Sequence, residues 1–211
     1  MAIFPDPEFA DDHGLVSVGG DLAPARVLAA YRQGIFPWYD EGYPVLWWSP
    51  DPRAIFELDR FHVPKRLART LATGRFTFTI NQAFDRVIRG CAERQEGTWI
   101  TGDMIVAYEK LRGLGHAHSV EAWRGDKLAG GIYGLALAGL FAGESMFTRI
   151  RDGSKAALVF LVDHLRQRGF CLFDIQMVTP LTAQFHPVEI PRQEYLRRLR
   201  RALKEAVTFE D

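Results

Sequence analysis

The second half of the chain shows two hydrophobic patterns, and together they predict strands and helices in a mixed arrangement. Apolar and polar side chains alternate after residue 117, as they do in a strand with one buried face. Further on, apolar side chains follow the helical period, as they do on a buried helix stripe. We expect strands over 117–123, 128–137, 140–144 and 170–175, a helix that Ser154 caps and Gly169 ends, and a last helix after Pro191. This order favours an α+β fold with a mixed sheet.

The first half has fewer long periodic segments. Eight of the 11 prolines precede residue 65, and proline both fixes φ and removes an N–H donor. This part is therefore expected to be rich in loops and held together by its aromatic side chains. We expect helices over 24–34 and 64–74, a strand over 76–80, a helix that Asn81 caps and that runs to about 94, and a helix that Thr101 caps. Residues 1–60 and 61–95 are predicted to form a small N-terminal domain together, followed by a larger domain over 96–211.

The composition is that of a soluble globular protein, with 47% hydrophobic and 25% charged residues in a chain of 211. Lysine plus arginine and aspartate plus glutamate are equal at 26 each. The net charge therefore gives no reason to expect a polyanionic partner, although a local basic patch is sufficient to bind one.

Neither the cysteines nor the histidines predict a metal site. Cys91 and Cys171 match no metal or redox spacing and indicate reduced thiols. His116 and His118 alternate on an expected strand, but no third ligand has a suitable spacing. The sequence shows no leader segment and no apolar stretch long enough to span a bilayer, so we expect a cytoplasmic protein without a membrane partner.

Two short segments combine polar groups with apolar neighbours. One spans 141–147 and includes Glu144, and the other spans 173–176 and includes Asp174 and Gln176. Burying a polar group without a partner costs about 2–7 kcal/mol, so these groups need partners or a task. Asp174 and Gln176 are two residues apart and share one face of a strand. Two interpretations stay open: a site for a polar reaction beside an apolar pocket, or a hydrogen-bonded network that only caps strand ends.

A window without acidic residues lies around the second expected helix. Its basic residues are Arg60, Lys65, Arg66, Arg69 and Arg75. Lys65, Arg66 and Arg69 have the spacing that places side chains on one helix face. Such a face can grip phosphates without reading a base sequence, and it can also be an ordinary solvated surface.

Nine motifs stand in order between about residue 14 and about residue 200. They are Gly19-Gly-Asp-Leu22, Gly34-Ile-Phe-Pro-Trp38, Trp47-Trp-Ser-Pro-Asp-Pro-Arg53, Gly97-Thr-Trp-Ile100, His116-Ala-His-Ser-Val-Glu121, Gly130-Gly-Ile-Tyr-Gly134, Gly143-Glu-Ser-Met-Phe147, Ser154-Lys155 and Asp174-Ile-Gln176. Each motif is weak alone, but together they resemble the leucyl/phenylalanyl-tRNA–protein transferase family. The resemblance implies a GNAT-like acyltransferase domain behind the small N-terminal domain, with no metal and no other cofactor.

The activity that the resemblance implies is transfer of Leu or Phe, and less readily Met, from aminoacyl-tRNA to proteins with N-terminal Arg or Lys. The product is a degradation signal. By the same resemblance Asp174 and Gln176 act as a catalytic pair, and Glu144 holds a cationic amine. The aminoacyl side-chain pocket is expected from Ile132, Phe141, Leu158, Leu161, Leu165 and Phe173, the adenosine contact from Trp38 and Trp99, and the tRNA phosphate contact from Lys65, Arg66, Arg69 and Arg75.

Two alternatives stay open, an acyl-CoA N-acyltransferase on the same fold and a non-catalytic tRNA-binding module. Against the first, the loop over 148–155 has one glycine and lacks the spacing of a pyrophosphate-binding loop.

One segment departs from the family pattern, since His186 replaces an expected glycine and Leu181 an expected histidine. This departure puts acceptor selectivity in doubt. Nothing in the sequence demands more than a monomer.

Overall fold

The structure is a computed structural model that describes residues 4–93 and 98–210. Its strands are β1 (Leu15–Val18), β2 (Phe36–Pro37), β3 (Leu46–Trp48), β4 (Arg53–Phe56), β5 (Thr77–Ile80), β6 (Ala117–Arg124), β7 (Lys127–Leu137), β8 (Leu140–Thr148), β9 (Leu172–Gln176) and β10 (Val188–Ile190). Its helices are α1 (Pro24–Arg32), α2 (Lys65–Ala72), α3 (Phe84–Ala92), α4 (Gly102–Gly113), α5 (Gly153–Arg168), α6 (Pro180–Ala183) and α7 (Arg192–Ala202). Short 3₁₀ turns span Pro7–Phe9 and Leu58–Arg60.

A seven-stranded sheet in the order β10-β4-β9-β8-β7-β6-β5 forms the centre of the molecule. Strands β8 and β9 run parallel and are joined by the crossover helix α5, while the other recorded pairs are antiparallel. The β8–β9 pairing covers only 140–142 against 172–174. A three-stranded antiparallel sheet, in the order β1-β3-β2, lies in the N-terminal part. The predicted mixed sheet and small N-terminal region are confirmed, and the GNAT-like assignment stays a prediction.

The large sheet takes strands from all three segments of the expected domain division. Strand β4 comes from 1–60 and lies beside β9, and β5 comes from 61–95 and pairs with β6. The expected boundary between 95 and 96 lies outside the described residues. The division therefore stays a proposal.

Two hydrophobic clusters cover the two faces of the sheet, as the alternation along β8 requires. Phe141 belongs to the cluster under α5 and α2, whereas Leu140 and Ala142 belong to the cluster under α1, α3, α4 and α7. The leucine stripe of α5 is fully buried, as predicted. Each such leucine stabilises the fold by about 1.5–3 kcal/mol.

Several helix ends agree with the sequence, and two do not. Thr101 caps α4 by accepting the N–H of Met104, and Gly169 ends α5 with φ 83°. The capping roles expected of Asn81 and Ser154 are wrong. Asn81 instead accepts the N–H of Ser119, and α3 begins only at Phe84, while Ser154 lies inside α5 and its hydroxyl accepts a bond from Thr148. Both side chains thus tie neighbouring strands down rather than close a helix.

The strand expected over 76–80 is confirmed as β5, but β1 to β4 and β10 were not expected. These unexpected strands contain two to four residues each, which is too short for an alternating pattern to be recognised. The expected strand over 140–144 continues to Thr148. Glu144 therefore lies within β8 and not at its end.

Candidate active site

A cavity of about 1020 Å³ opens where the pairing of β8 and β9 stops. Its walls come from β2 with Trp38, the far half of β8, the end of β9, the last turn of α3 with Trp99, the first turns of α5 and the segment 177–182. Among the described residues of the wall are seven that the sequence assigned to the site: Trp38, Trp99, Ile132, Glu144, Leu158, Phe173 and Gln176.

A β-bulge directs Glu144 into this cavity. Gly134 of β7 lies opposite Gly143, but the next residue back, Tyr133, lies opposite Ser145, so Glu144 has no partner on β7. An extra residue of this kind bends the strand and re-aims its side chain. Gly134 permits the close approach, since a Cβ at this position would lie 2.2 Å from the carbonyl oxygen of Ala142.

Two tyrosines hold the Glu144 carboxylate. The hydroxyl of Tyr31 donates to Oε1 at 2.7 Å and that of Tyr108 donates to Oε2 at 3.0 Å, and the two hydroxyls are 2.6 Å apart. Burial raises the pKa of Glu144 to about 7, although the two tyrosine hydrogen bonds oppose the rise. Its carboxyl group therefore changes charge near neutral pH.

Asp174 has a different environment, because a buried arginine neutralises it. Arg53 donates from Nε to Oδ1 at 2.9 Å and from Nη2 to Oδ2 at 2.7 Å, a bidentate pair. Tyr195 adds a hydrogen bond to Oδ2 at 2.9 Å. Both members of the ion pair are buried, with 1% of the Arg53 side chain and none of the Asp174 side chain exposed.

Arg53 also fixes its surroundings. Its Nη1 donates to the carbonyl of Gly34 at 3.1 Å, and its guanidinium lies 4.7 Å from the ring centre of Phe36 and 4.4 Å from that of Tyr195. Burial disfavours the charged form, but the attraction of Asp174 outweighs it and raises the pKa of Arg53. Sequence reasoning missed Arg53, Tyr195, Tyr31 and Tyr108. Arg53 ends one of the recognised motifs, but nothing local indicates its partner.

Gln176 ends β9 in an unusual backbone conformation. Its φ of 58° is in the left-handed region, which costs a non-glycine residue about 1–3 kcal/mol. Its main-chain N–H donates to Oδ1 of Asp174 at 3.0 Å, and its side-chain amide donates to Oε1 of Glu144 at 3.5 Å. Asp174 thus contacts the main chain of Gln176, whereas the side-chain amide of Gln176 contacts Glu144.

The six residues expected to line the aminoacyl pocket divide into two groups. Ile132, Leu158 and Phe173 form part of the cavity wall. Phe141, Leu161 and Leu165 lie in the core behind it, at most 1% exposed. Leu161 and Leu165 are about one and two turns further along α5 than Leu158, so they point into the core and not into the cavity. Phe141 packs edge-on against Phe173, with ring centres 5.6 Å apart, and supports the wall from behind.

Trp38 and Trp99 both line the cavity, and a hydrogen bond joins residues that lie close to them in the sequence. Trp38 is 39% exposed, and its carbonyl accepts the indole N–H of Trp48 at 2.7 Å. The hydroxyl of Tyr39, the next residue, is 3.2 Å from that of Thr101, two residues after Trp99. The Gly97 that opens the motif around Trp99 lies outside the described residues. Trp47, by contrast, is a core residue with no exposed surface.

The basic residues Lys65, Arg66, Arg69 and Arg75 are exposed along and just after α2. Arg66 and Arg75 approach the carboxylate of Asp152 to 3.8 and 3.7 Å. Asp152 immediately precedes α5, whose residue Ser154 lines the cavity. The basic face therefore borders the start of α5, close to the cavity.

In the segment that departs from the family pattern, Leu181 lines the cavity and His186 lies beyond it. His186 has φ 55°, a conformation in which glycine has no steric penalty, and its ring stacks on that of His62 at 4.2 Å. The histidine thus adopts the backbone conformation of the glycine it replaces.

No three metal-binding side chains converge within 4–93 and 98–210. His118 is buried and its burial lowers its pKa to about 4. In the same residues, every helix is too short or too polar to cross a bilayer.

Comparison with known proteins gives one consistent result. A family model described as "Leucyl/phenylalanyl-tRNA protein transferase" matches residues 55–200, and the model of its N-terminal domain matches 20–51. A leucyl/phenylalanyl-tRNA–protein transferase of Anaeromyxobacter sp. (strain K) is 53% identical over 206 residues, 96% of this chain and 88% of the relative. One from Escherichia coli O1:K1 / APEC is 48% identical over 196 residues, 92% of this chain and 84% of the relative.

Among solved structures, the C-terminal domain of a putative lysylphosphatidylglycerol synthetase from Agrobacterium fabrum matches with a TM-score of 0.47 and 14% identity. The match covers 80% of this chain and 64% of that one, and it is too weak to support an argument. The family models and the relatives agree over nearly the whole sequence, and the chain therefore belongs to the leucyl/phenylalanyl-tRNA–protein transferase family.

Proposed function

We propose that this protein transfers leucine or phenylalanine, and less readily methionine, from aminoacyl-tRNA to the N-terminus of proteins that begin with Arg or Lys. The new N-terminal residue then marks the acceptor for degradation. The observation that supports this most is the cavity, in which Glu144 and Gln176 stand beside an apolar wall and two tryptophans. We propose that the enzyme works as a monomer in the cytoplasm and needs no cofactor.

In this proposal the cavity binds the end of the aminoacyl-tRNA. The leucyl or phenylalanyl side chain contacts Ile132, Leu158 and Phe173, with Phe141, Leu161 and Leu165 as the support behind them. The terminal adenine stacks on Trp38 and Trp99, and stacking of a base on an aromatic ring contributes about 1–3 kcal/mol. Both sets of residues are apolar, as an aminoacyl side chain and a base face require.

The chemistry needs little more than orientation, because an aminoacyl ester is already activated. The acceptor's N-terminal amine attacks the ester carbonyl, a peptide bond forms, and the bond to the ribose oxygen breaks. The cationic amine first gives up one proton, and as the neutral amine forms the peptide bond its nitrogen loses a second, which the departing ribose oxygen gains to become a hydroxyl. The amide of Gln176 orients the amine. Glu144 holds the amine while it is cationic, and its pKa of about 7 allows its carboxylate to exchange a proton with the amine. Asp174 acts through the main chain by fixing Gln176.

The basic face of α2 serves the tRNA in this scheme. Lys65, Arg66, Arg69 and Arg75 are exposed beside the start of α5 and bind phosphates of the acceptor stem. Reversing the charge of Arg66 and Arg69 should raise the KM for tRNA and leave kcat unchanged. An unchanged KM at moderate salt would remove the assignment of this face.

The test uses labelled Phe-tRNA or Leu-tRNA and two peptides that differ only in an N-terminal Arg or Ala. Label on the Arg peptide alone is the expected result. Asp174→Asn and Gln176→Ala should each abolish transfer and keep tRNA binding. If the unmodified protein binds tRNA but transfers to neither peptide, the proposed acceptor rule is wrong or the protein is a binding module. If it does not bind tRNA, the proposed function fails.

A further inference from the structure

An ion pair between Arg149 and Glu93 stands at the wall of the cavity, outside the groups already discussed. Arg149 Nη2 lies 3.1 Å from Oε2 of Glu93, and the two side chains are 48% and 66% exposed. We infer that Arg149 binds the backbone phosphate on the 5′ side of the tRNA's terminal adenosine, and that Glu93 occupies Arg149 until RNA arrives. This inference rests on the proposed function and adds a contact to the same site.

The charges of the cavity wall single out Arg149. Among the described residues that form this wall, it is the only lysine or arginine, and the acids are Glu93 and Glu144. The terminal adenosine of the tRNA carries a phosphate on its 5′ side. When the adenine stacks on Trp38 and Trp99, we expect this phosphate to lie near the mouth of the cavity. A guanidinium binds phosphate with two parallel hydrogen bonds, in the geometry it also uses for carboxylates.

Arg149 is also anchored in a way that suits such a contact. Its main-chain N–H donates to the carbonyl of Ala129 at 2.8 Å, so its position directly after β8 is fixed. Its guanidinium lies 5.4 Å from the ring centre of Phe147, which also lines the cavity. The backbone is thus held while the charged end stays accessible.

The position of Arg149 connects the cavity with the basic face of α2. Only two residues separate it from Asp152, which Arg66 and Arg75 approach. A strand of RNA that leaves the cavity past Arg149 therefore meets those arginines next. This continuity favours RNA over the acceptor peptide as the partner of the pair.

Glu93 is placed and charged to compete with an RNA phosphate for Arg149. Exposed ion pairs contribute only about 0–1 kcal/mol, so a phosphate can replace the carboxylate at little cost. Removing the Glu93 charge should therefore favour RNA binding, and removing the Arg149 charge should oppose it. Opposite signs at the two members of one pair are not expected from loss of a stabilising surface contact.

The experiment compares two short substrates that differ by one phosphate, phenylalanyl-adenosine and cytidylyl-(3′→5′)-adenosine phenylalanylated in the same position. With the Arg peptide as acceptor, Arg149→Gln should lower kcat/KM about tenfold for the dinucleotide and leave the nucleoside unchanged. Full Phe-tRNA gives a second measurement that does not depend on the short substrates. Its KM should rise about tenfold in Arg149→Gln and fall a few-fold in Glu93→Gln, with kcat unchanged.

The matched controls are Arg89→Gln and Glu109→Gln, which remove another exposed ion pair with an N–O distance of 3.0 Å. These two variants should change neither kcat/KM for the dinucleotide nor KM for Phe-tRNA. If Arg149→Gln behaves like Arg89→Gln, the inference is wrong. If Glu93→Gln raises the KM of the peptide instead, Glu93 binds the acceptor's basic end and the inference is wrong as well. Absence of transfer by the unmodified protein would instead refute the proposed function.

Discussion

Two carboxylates on neighbouring strands, Asp174 on β9 and Glu144 on β8, are held in opposite ways. A bidentate arginine and a tyrosine bind Asp174, which has no exposed surface. Two neutral tyrosine hydroxyls bind Glu144, which lines the cavity. Asp174 is fully buried and Glu144 is partly buried, and only Asp174 forms an ion pair with a cation. Arg53 forms an ion pair with Asp174, whereas burial without an adjacent cation raises the pKa of Glu144 to about 7.

In the proposed mechanism this difference separates a positioning group, Asp174, from a reacting group, Glu144. Asp174 holds the main chain of Gln176 in its strained conformation and is closed off from the cavity. Glu144 lines the cavity in which the proposed mechanism places the amine, and its pKa is about 7. Under this proposal, two carboxylates on neighbouring strands serve different purposes: one holds the backbone rigid and the other exchanges a proton.

The largest expected effect separates the two carboxylates by stability. Asp174→Asn leaves the charge of Arg53 buried without a counter-ion, and should lower the free energy of unfolding by about 3–5 kcal/mol. Glu144→Gln at pH 7 should change it by less than about 1 kcal/mol, since no buried cation depends on Glu144. Urea denaturation of both variants measures the contrast. Equal losses would show that the two sites are equivalent.

The double variant Arg53→Met with Asp174→Asn serves as the control. It removes the buried cation together with the lost charge, and it should recover part of the stability that Asp174→Asn loses. Transfer should nevertheless stay low, because Gln176 has lost the acceptor of its main-chain N–H. Recovered activity would show that Asp174 does not act through Gln176.

The second expected effect is a pH dependence that belongs to Glu144 alone. If its charged form holds the amine, kcat should rise with pH through about 7, and fall about tenfold for each pH unit below that point. Tyr31→Phe removes a hydrogen bond that lowers the pKa of Glu144, so the midpoint should move to higher pH. The amine of the peptide titrates in every variant, so the ratio of each profile to that of Glu144→Gln isolates the contribution of Glu144. A ratio without a midpoint near 7 would contradict the assignment.

The same pKa gives a stability trend with a definite sign. The folded pKa of Glu144 is raised above its ordinary value of 4.5, so the proton is bound more tightly in the folded state. This contribution to stability is fully present below about pH 4.5 and is lost as the pH rises through about 7. Glu144→Gln should therefore gain stability relative to the unmodified protein between pH 5 and pH 8 in denaturation series.

The smallest expected effect concerns the strain at Gln176. Gln176→Gly relieves a left-handed backbone and should be about 1 kcal/mol more stable than Gln176→Ala, although both should lose transfer. Ala138, in the β7–β8 turn with φ 50°, offers a matched position away from the cavity wall. Ala138→Gly should give a similar gain and keep activity. A Gln176→Gly protein no more stable than Gln176→Ala would show that this backbone is not strained.

The parts of the fold that were predictable depend on neighbours in sequence. The alternation in β6, the cap at Thr101 and the stop at Gly169 each involve a few consecutive residues, and each was recognised. The pair of Arg53 and Asp174 joins positions 121 apart, and Tyr31 lies 113 residues from Glu144. No periodicity reports such a contact, so the partners of both carboxylates had to come from the structure.

Periodicity also failed to show which apolar residues face the cavity. Leu158, Leu161 and Leu165 belong to one buried stripe of α5, but only its first member reaches the cavity wall. The bulge at Glu144 could not be predicted from the sequence either. One extra residue in β8 changes neither the composition nor the hydrophobic pattern enough to distinguish a bulged strand from a regular one. Seven of the residues that the sequence assigned to the site line the cavity, while the contacts that hold its carboxylates depend on where the strands separate.

The position of β4 between β9 and β10 affects when the site can form during synthesis on the ribosome. Arg53 leaves the ribosome 121 residues ahead of Asp174, so at about 5–20 residues per second it waits roughly 6–24 s for its counter-ion. During that interval β4 has neither neighbour in the sheet, and the support of Gln176 does not exist. A nascent chain therefore has no working centre until Asp174 has been synthesised and has paired with Arg53.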